Sequence, residues 1–275
     1  MAFIKKEVLI PYLEDYKKLI EDQKRSEFER SFTDINEEYK RDIPSKAQES
    51  LKVDTWNEQD VGHGTIGKNA IKAVQRNQNL IGKYQVSAFT NKVTEDVEES
   101  ERVLFDLYHD KKEQECFEKL CKLFGKKYDL ISYLYFIIDP NRYLPLRSSI
   151  FDDIFKKLEI DFQLSGRCSW ENYQEFLSIV AEIRDYMREY YQHDDIDLTE
   201  AHSFLWEFNP NGALAKEEKT DDESIKIGTV VKHNFYGEGT VTRISDEKIY
   251  VGFTIGQRIF TYPDAFAKNY LTKLS

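Results

Sequence analysis

Residues 227–263, IGTVVKHNFYGEGTVTRISDEKIYVGFTIGQRIFTYP, decide the fold of the C-terminal part of this chain. Apolar and polar residues alternate over 229–233, 239–244 and 248–253, and glycines separate the later runs. Short β-branched runs bounded by glycine and by a polar Asp246-Glu247 turn are typical of strands joined by tight turns. Four or five such strands in about fifty residues are too few for a sandwich. We therefore predict a small closed β-barrel.

The residues before this stretch show helical periodicity instead. Apolar residues recur at helical spacing over 1–43, and we expect Pro44 to end that segment before a polar loop. A long helix is predicted over 94–125, with Gly125 at its C-terminal end. Another is predicted over Trp170–Tyr191, capped by Ser169.

The apolar run 128–138 fits a buried strand or a buried helix equally well. Residues 211–225 are polar and charged, as a linker is. The fold class predicted from these patterns is mainly α with a C-terminal small β-barrel, an α+β chain of two domains. The helical domain covers 1–210, the charged linker 211–225 and the barrel 226–275.

Composition limits the classes of function. The 275 residues carry a net charge of −11, but residues 226–275 alone carry about +3, which leaves −14 for the remainder. This charge argues against duplex DNA binding by the whole surface, because phosphate neutralisation needs a basic face, and it leaves a local basic patch on the barrel open. No apolar run reaches the ~20 residues of a membrane span, and three cysteines fit a reducing compartment. We expect a cytoplasmic protein without a membrane partner or secretory signal.

The predicted barrel carries the candidate binding residues. Phe235 and Tyr236 follow the first strand, and we expect one ring to project outward while the other packs inward. Exposed aromatics beside Arg or Lys are frequent interaction hot spots. The basic residues that could accompany them are Lys232, Arg243, Lys248 and Arg258. Convergence of these side chains would favour nucleic acid, and their separation would favour a protein partner.

The segment 62–68, GHGTIGK, resembles a phosphate-binding loop in spacing only. Its G-x-x-x-x-G-K spacing matches such a loop, but Asn69 stands where a magnesium-binding Ser or Thr is required. A glycine-rich entry into a helix explains it better, although its N–H groups could hold an anion. His109, Cys116 and Cys121 have the wrong spacing for a metal site. We predict no cofactor and no metal.

A catalytic alternative remains open around residues 194–202. A metal-dependent nuclease needs clustered carboxylates, often with histidine. His193, Asp195, Asp197 and His202 are the candidates, and the competing interpretation is a solvated acidic loop with one packed histidine. No nucleophile-elbow sequence is present for a serine or cysteine triad.

The central segments SYLYFIIDPNRYLPLRSSIFDDIFKKLEIDF, CSWENYQEFLSIVAEIRDYM and AHSFLWEF resemble a region of uncharacterised bacterial proteins. Several of those carry an HNH nuclease module after it, in restriction-like or mobile-element settings. The resemblance covers 128–208 and implies a helical module associated with DNA or with a partner. No HNH sequence follows Phe208, so the nuclease activity does not carry over.

The segment GTVVKHNFYGEGTVTRISDEKIYVGF is similar to the Tudor-like barrel at the C-terminus of UvrD/PcrA-type helicases. The matching residues are Gly228, Val231, His233, Gly237, Gly239, Val241, Val251 and Phe253. The resemblance implies a Tudor/SH3-like barrel that contacts RNA polymerase or nucleic acid. The sequence thus predicts a non-catalytic adaptor in bacterial DNA processing or phage defence, whose barrel docks a protein or a nucleic acid. The alternatives are the nuclease above and an interaction module with no nucleic-acid role.

Overall fold

The computed structural model describes residues 4–24, 38–77, 80–209, 214, 225–245, 248–262, 264–267 and 270–274. The chain divides into two compact units, Met1–Leu214 and Ala215–Ser275. The first is mainly helical and the second holds an antiparallel sheet, which confirms the predicted α+β fold class. The predicted linker, 211–225, lies outside the described residues except for Leu214 and Ile225.

The helical unit is built from helices that we number in chain order. They are α1 Lys6–Lys24, α2 Glu38–Leu51, α3 Thr65–Gln75, α4 Lys83–Glu95, α5 Val97–Tyr108, α6 Glu113–Phe124, α7 Tyr128–Phe136, α8 Ser148–Lys157, α9 Trp170–Tyr191 and α10 Leu198–Trp206. Two short 3-10 turns, Val53–Thr55 and Glu58–Asp60, lie between α2 and α3. One continuous apolar core joins these helices. No helix in the described ranges has the length and apolarity that crossing a membrane requires.

The ambiguous apolar run forms α7, which is buried along almost its whole length. A helix that is apolar all round belongs in the middle of a helical protein. Its buried tyrosine hydroxyls find backbone acceptors: Tyr133 donates to the Ala73 carbonyl at 3.0 Å, and Tyr128 donates to the Arg167 carbonyl at 2.9 Å. Because these hydroxyls are paired, the rings contribute their burial, about 2 kcal/mol each, without a desolvation penalty.

Pro44 does not end a helix, so that prediction is wrong. It lies inside α2, where the missing N–H and the ring should cost about 3 kcal/mol. The helix continues because one face of it is fully covered: Ile43, Ala47 and Leu51 are at most 1 % exposed. Tertiary packing of an apolar face outweighs the local preference here.

The long helix predicted over 94–125 is two helices, α5 and α6. The helical backbone is interrupted between them, where Lys111 adopts a left-handed conformation with φ 56°. A straight helix over that span would be about 48 Å long and would leave part of its apolar side uncovered. Two predicted helix ends are confirmed: Gly125 follows α6 with φ 80°, and the Ser169 side chain accepts the Asn172 N–H at the start of α9.

The second unit holds a five-stranded antiparallel sheet. Its elements are β1 Val230–His233, β2 Gly237–Ser245, β3 Lys248–Phe253, β4 Gly256–Thr261, α11 Asp264–Ala267 and β5 Leu271–Lys273. The strand order is β4-β3-β2-β1-β5. The pairing found in the described residues does not join β4 to β5, so closure into a barrel stays a prediction.

The sheet has its own apolar core, and one glycine makes its packing fit. Val231, Val241 and Val251 are at most 1 % exposed. A Cβ atom on Gly239 would lie 2.5 Å from Phe253 Cδ1 and 2.8 Å from Val251 Cγ1. Only glycine therefore leaves room for the Phe253 ring to lie against β2.

Candidate functional site

A histidine side chain holds the turn between β1 and β2. His233 Nδ1 accepts hydrogen bonds from the backbone N–H of Phe235 at 3.0 Å and of Tyr236 at 3.2 Å. A ring nitrogen that accepts N–H groups carries no proton itself, so the neutral imidazole bears its proton on Nε2. The side chain works like the carboxamide of an Asx turn, and it fixes both aromatic residues where the chain reverses.

The two aromatic side chains of this turn differ sharply in exposure. Phe235 is 83 % exposed, whereas Tyr236 is half-buried and packs against the sheet core. The Tyr236 ring stacks on His233 with centroids 4.4 Å apart and lies 5.5 Å from Phe253. The structure thus has one ring outward and one inward, as the sequence predicted. The exposed Phe235 side chain is therefore attached to a backbone that hydrogen bonds to His233 hold in place.

Arg258 adds a cation to the same group. Its guanidinium lies over the Tyr236 ring, 5.3 Å from the centroid. In the β3–β4 register Arg258 pairs with the buried Val251, so it belongs to the core side of the sheet. No ion pair to Arg258 occurs within the described part of the chain. We call His233, Phe235, Tyr236 and Arg258 the aromatic turn.

Lys232 and Lys248 lie on the opposite face of the sheet from the core. Each is exposed and stands next to a buried residue, Val231 and Ile249 respectively. Successive side chains of a strand point to opposite faces. These two lysines therefore lie on the solvent side, away from the face that carries Arg258.

Arg243 reaches that solvent side through an irregularity in β2. The β2–β3 register shifts between Val241 and Arg243, which marks a bulge at Thr242. The shift pairs Arg243 with Tyr250, and its guanidinium lies 4.5 Å from the centroid of that ring. The six predicted partner-binding residues are thus split between two faces and do not converge on one surface.

The predicted nuclease residues are not brought to one point either. His193 Nδ1 and Asp195 Oδ1 lie 2.7 Å apart in an exposed turn, and the hydrogen bond from His193 lowers the pKa of Asp195. Asp197 caps α10 by accepting the Glu200 N–H at 3.0 Å, and its other oxygen pairs with Arg41 at 2.7 Å. These carboxylates have structural partners inside the chain.

His202 is buried in the core, whereas the His193–Asp195 turn is exposed to solvent. It is 2 % exposed, and its pKa is well below the ordinary value because the ring is buried and because the Lys40 charge is close. The neutral ring donates from Nε2 to the Pro145 carbonyl at 2.8 Å and accepts at Nδ1 from Lys40 Nζ at 3.1 Å. This arrangement is a packed histidine, not a base facing solvent.

The buried Lys40 was not singled out in the sequence, although a signal existed. Lys40 is 1 % exposed and stands three residues before Ile43, on the apolar face of α2. A lysine in register with an apolar helical stripe is a candidate buried cation. The sequence signal is weak, because its partner His202 lies 162 positions away.

A small cavity adjoins this lysine–histidine pair. Its volume is about 30 Å³, which suffices for roughly one water molecule. Ligand pockets usually measure about 300–1,000 Å³. The lining residues are Lys40, Leu80, Pro145, Leu146, Arg147, His202 and Trp206. The cavity is too small for an organic substrate.

The glycine-rich segment 62–68 already holds an anion, the carboxylate of Glu101. The backbone N–H groups of Gly62, Gly64 and Gly67 donate to it at 2.8, 3.1 and 2.7 Å. Glu101 lies on α5 and is fully buried. The donors that a phosphate would require are therefore engaged within the chain.

The three residues that sequence spacing argued against as metal ligands, His109, Cys116 and Cys121, have other surroundings in the structure. His109 stacks on Phe105 with centroids 4.5 Å apart. Cys116 is fully buried, which raises the pKa of its thiol to about 12. Cys121 lies 3.8 Å from Cys168, which the sequence analysis did not connect with it. Across the described ranges, no three His, Cys, Asp or Glu side chains are grouped so that they could hold a metal ion.

Comparison of the chain with protein-family models, with curated proteins and with solved structures gave no match. The two resemblances seen in the sequence therefore stay predictions. Among the described residues of the sheet unit, Phe235 is the most exposed large apolar side chain, and its backbone N–H is bonded to His233.

Proposed function

We propose that this chain is a non-catalytic binding protein and that its sheet unit docks a protein partner through the aromatic turn. The observation that carries the proposal is the position of Phe235. Its ring is 83 % exposed, yet its backbone N–H is fixed by His233 at 3.0 Å. An exposed aromatic on a pre-ordered backbone loses little conformational freedom on binding, which is the property of an interface hot spot.

The charges favour a protein over a nucleic acid. Nucleic-acid affinity comes from several cations that face the phosphates together. Of the basic candidates, only Arg258 belongs to the aromatic turn, whereas Lys232, Lys248 and Arg243 stand on the opposite face. A polyanion bound at the aromatic turn would therefore meet a single cation of this set. The negative charge lies in the remainder of the chain, which carries −14 and repels a polyanion, whereas residues 226–275 alone carry about +3.

The sequence resemblances support a setting for this binding. Residues 128–208 resemble bacterial proteins from restriction-like and mobile-element settings, and 226–275 resemble the Tudor-like barrels of UvrD/PcrA-type helicases. We therefore propose that the protein acts as a cytoplasmic adaptor in bacterial DNA processing or phage defence. No described geometry favours the nuclease alternative.

The test is a quantitative capture experiment with single substitutions in the full chain. Immobilised wild type captures partners from a bacterial extract, and mass spectrometry identifies them. The recombinant partner is then titrated against each variant. Phe235→Ala should weaken binding about 30-fold, as expected for a hot spot of about 2 kcal/mol. Ile255→Ala is the matched control, because Ile255 is 58 % exposed between β3 and β4.

Both variants should keep the wild-type melting temperature, because they truncate exposed side chains. Tyr236 is a poor probe, since it packs against the core. Equal affinity of Phe235→Ala and wild type would reject the aromatic turn as the docking site. Salt-dependent binding of labelled single- or double-stranded oligonucleotides, weakened by Arg258→Ala, would show that the partner class is nucleic acid and not protein.

A further inference from the structure

Two of the three cysteines meet although 47 positions separate them in the sequence. Cys121 lies on α6, and Cys168 immediately precedes the cap of α9. Their Sγ atoms are 3.8 Å apart and share an S–H···S hydrogen bond. Both are free thiols and half-buried. The pair is therefore in sulfur–sulfur contact and is not sealed in the core.

The backbone on both sides of this contact is held firmly. Cys121 stands between Leu120 and Leu123, whose burial anchors the last turns of α6. On the other side, the Tyr128 hydroxyl lies 2.9 Å from the Arg167 carbonyl and 3.3 Å from the Ser169 carbonyl. These contacts tie the residues before and after Cys168 to α7. The thiols are kept together by the fold and do not depend on a chance encounter.

We infer that Cys121 and Cys168 form a reversible dithiol–disulfide site of the helical unit, oxidised by hydroperoxides. The contact distance, the hydrogen bonds beside Cys168 and the partial exposure of both residues carry this inference. It stands independently of the proposed binding function, because none of the aromatic-turn residues takes part.

The two sulfur atoms have different roles. The hydrogen bond from Cys168 lowers the pKa of Cys121, burial opposes this, and the positive charge of Lys126 adds to the lowering. The same hydrogen bond raises the pKa of Cys168. The thiolate is the reactive form of cysteine, so Cys121 is the attacking residue and Cys168 resolves the product.

The reaction balances in two steps. The Cys121 thiolate attacks the terminal oxygen of the hydroperoxide, the O–O bond breaks, and the sulfur becomes a sulfenic acid. The hydroxide or alkoxide that leaves takes up the proton that the Cys121 thiol lost on ionising, and departs as water or an alcohol. The Cys168 sulfur then attacks the Cys121 sulfur, the S–S bond forms, and hydroxide leaves with the Cys168 proton as water. Two electrons pass from the thiols to the peroxide.

Cys116 supplies an internal control. It lies five positions before Cys121 on the same helix, but it is fully buried and its pKa is raised to about 12 by that burial. A buried thiol in its protonated form reacts slowly with peroxide. If every thiol were oxidised regardless of its surroundings, Cys116 would react too. If the Cys121–Cys168 contact directs the oxidation, Cys116 should not react.

The experiment treats the reduced full chain with hydrogen peroxide and then blocks the remaining thiols. Wild type should lose two hydrogen atoms in intact mass, and peptide mapping should show one Cys121–Cys168 link that dithiothreitol reverses. Cys116→Ala should react in the same way. Cys121→Ser and Cys168→Ser should both lose the link. Closing this long loop should also raise the melting temperature of the oxidised wild type.

The order of attack is tested with dimedone, which traps sulfenic acids. Cys168→Ser should accumulate the adduct on Cys121, at least about tenfold faster than Cys121→Ser does on Cys168. Equal rates would overturn the assigned roles. Oxidised wild type that carries separate adducts on Cys121 and Cys168, or any link to Cys116, would overturn the site itself. The wild-type mapping requires no variant to fold.

Discussion

Glu101 on α5 accepts the backbone N–H of Gly67 on α3 at 2.7 Å, and the side chain of Val93 on α4 packs against the same glycine. A Cβ atom on Gly67 would lie 2.7 Å from Val93 Cγ1 and 3.4 Å from Glu101 Oε1. The glycine spacing that suggested phosphate binding is thus explained by a buried carboxylate that joins two helices. The missing side chain at Gly67 is what leaves room for Val93 beside this hydrogen bond.

Glu101→Gln should destabilise the helical unit by about 3 kcal/mol. The substituted amide nitrogen is a donor that faces other N–H donors, and each buried donor left unpaired costs about 1–3 kcal/mol. Urea unfolding followed by tryptophan fluorescence measures this unit selectively, because all three tryptophans, Trp56, Trp170 and Trp206, lie in it. Glu99→Gln on the same helix is exposed and should change little. Equal effects of both substitutions would refute the role given to Glu101.

Glu200 gives the helical unit a predicted pH dependence. Burial raises its pKa from 4.5 to about 7. Oε2 accepts the Asp197 N–H, and Oε1 finds no hydrogen-bond partner among the described residues. Between pH 4.5 and 7 the folded chain keeps a proton that the unfolded chain has released, so stability falls as pH rises through this window.

Glu200→Gln should remove that fall. Its amide oxygen can still accept the Asp197 N–H, and nothing titrates. The variant and wild type should unfold alike near pH 4, and above pH 7 the variant should be more stable by an amount on the order of 2 kcal/mol. The measurement is the urea midpoint across this pH range. Glu171→Gln on α9 is exposed and serves as the control. Parallel curves for Glu200→Gln and wild type would contradict the assignment.

Gly239→Ala tests the packing of the sheet unit. The added methyl would lie 2.5 Å from Phe253 Cδ1, so the ring must move. Overpacking of this kind costs about 1–3 kcal/mol. Amide hydrogen exchange of β2 and β3 measures the effect, since the sheet unit contains no tryptophan. The exposed neighbour Thr240→Ala is the control. If exchange in Gly239→Ala matches that control, the close packing of Phe253 is wrong.

Local signals predicted local features well. Ser169 begins α9 and Gly125 ends α6 as expected, because a cap is decided by the hydrogen bonds and backbone angle of a few neighbouring residues. Strand alternation predicted β1 and β3 to within a residue or two, because one face of the sheet is buried. These features depend on residues close together in the chain.

Features that depend on distant residues were missed. Pro44 predicts a helix end, and only the burial of one face of α2 against the core explains why the helix continues through it. The Cys121–Cys168 contact joins residues with no common motif, and spacing alone gives no indication of it. The sequence likewise did not show whether Arg243 and Lys232 lie on the same face of the sheet, because the bulge at Thr242 changes the side that Arg243 occupies. Tertiary packing decides each of these cases.

His233 should control the order of the aromatic turn, and this separates its role from that of Phe235. His233→Ala removes the acceptor of two backbone N–H groups, so the Phe235 and Tyr236 amides should exchange with solvent about tenfold faster, which corresponds to a hydrogen bond of about 1.4 kcal/mol. His233→Asn should restore part of the protection, because an asparagine side chain can accept an N–H two residues on. Asn234→Ala, at an exposed position of the same turn, is the control.

Partner affinity should follow the same order as amide protection, since a disordered Phe235 must be fixed again on binding. Unchanged exchange in His233→Ala would mean that the turn is held by its backbone alone, and the pre-ordering of Phe235 by His233 would then be wrong.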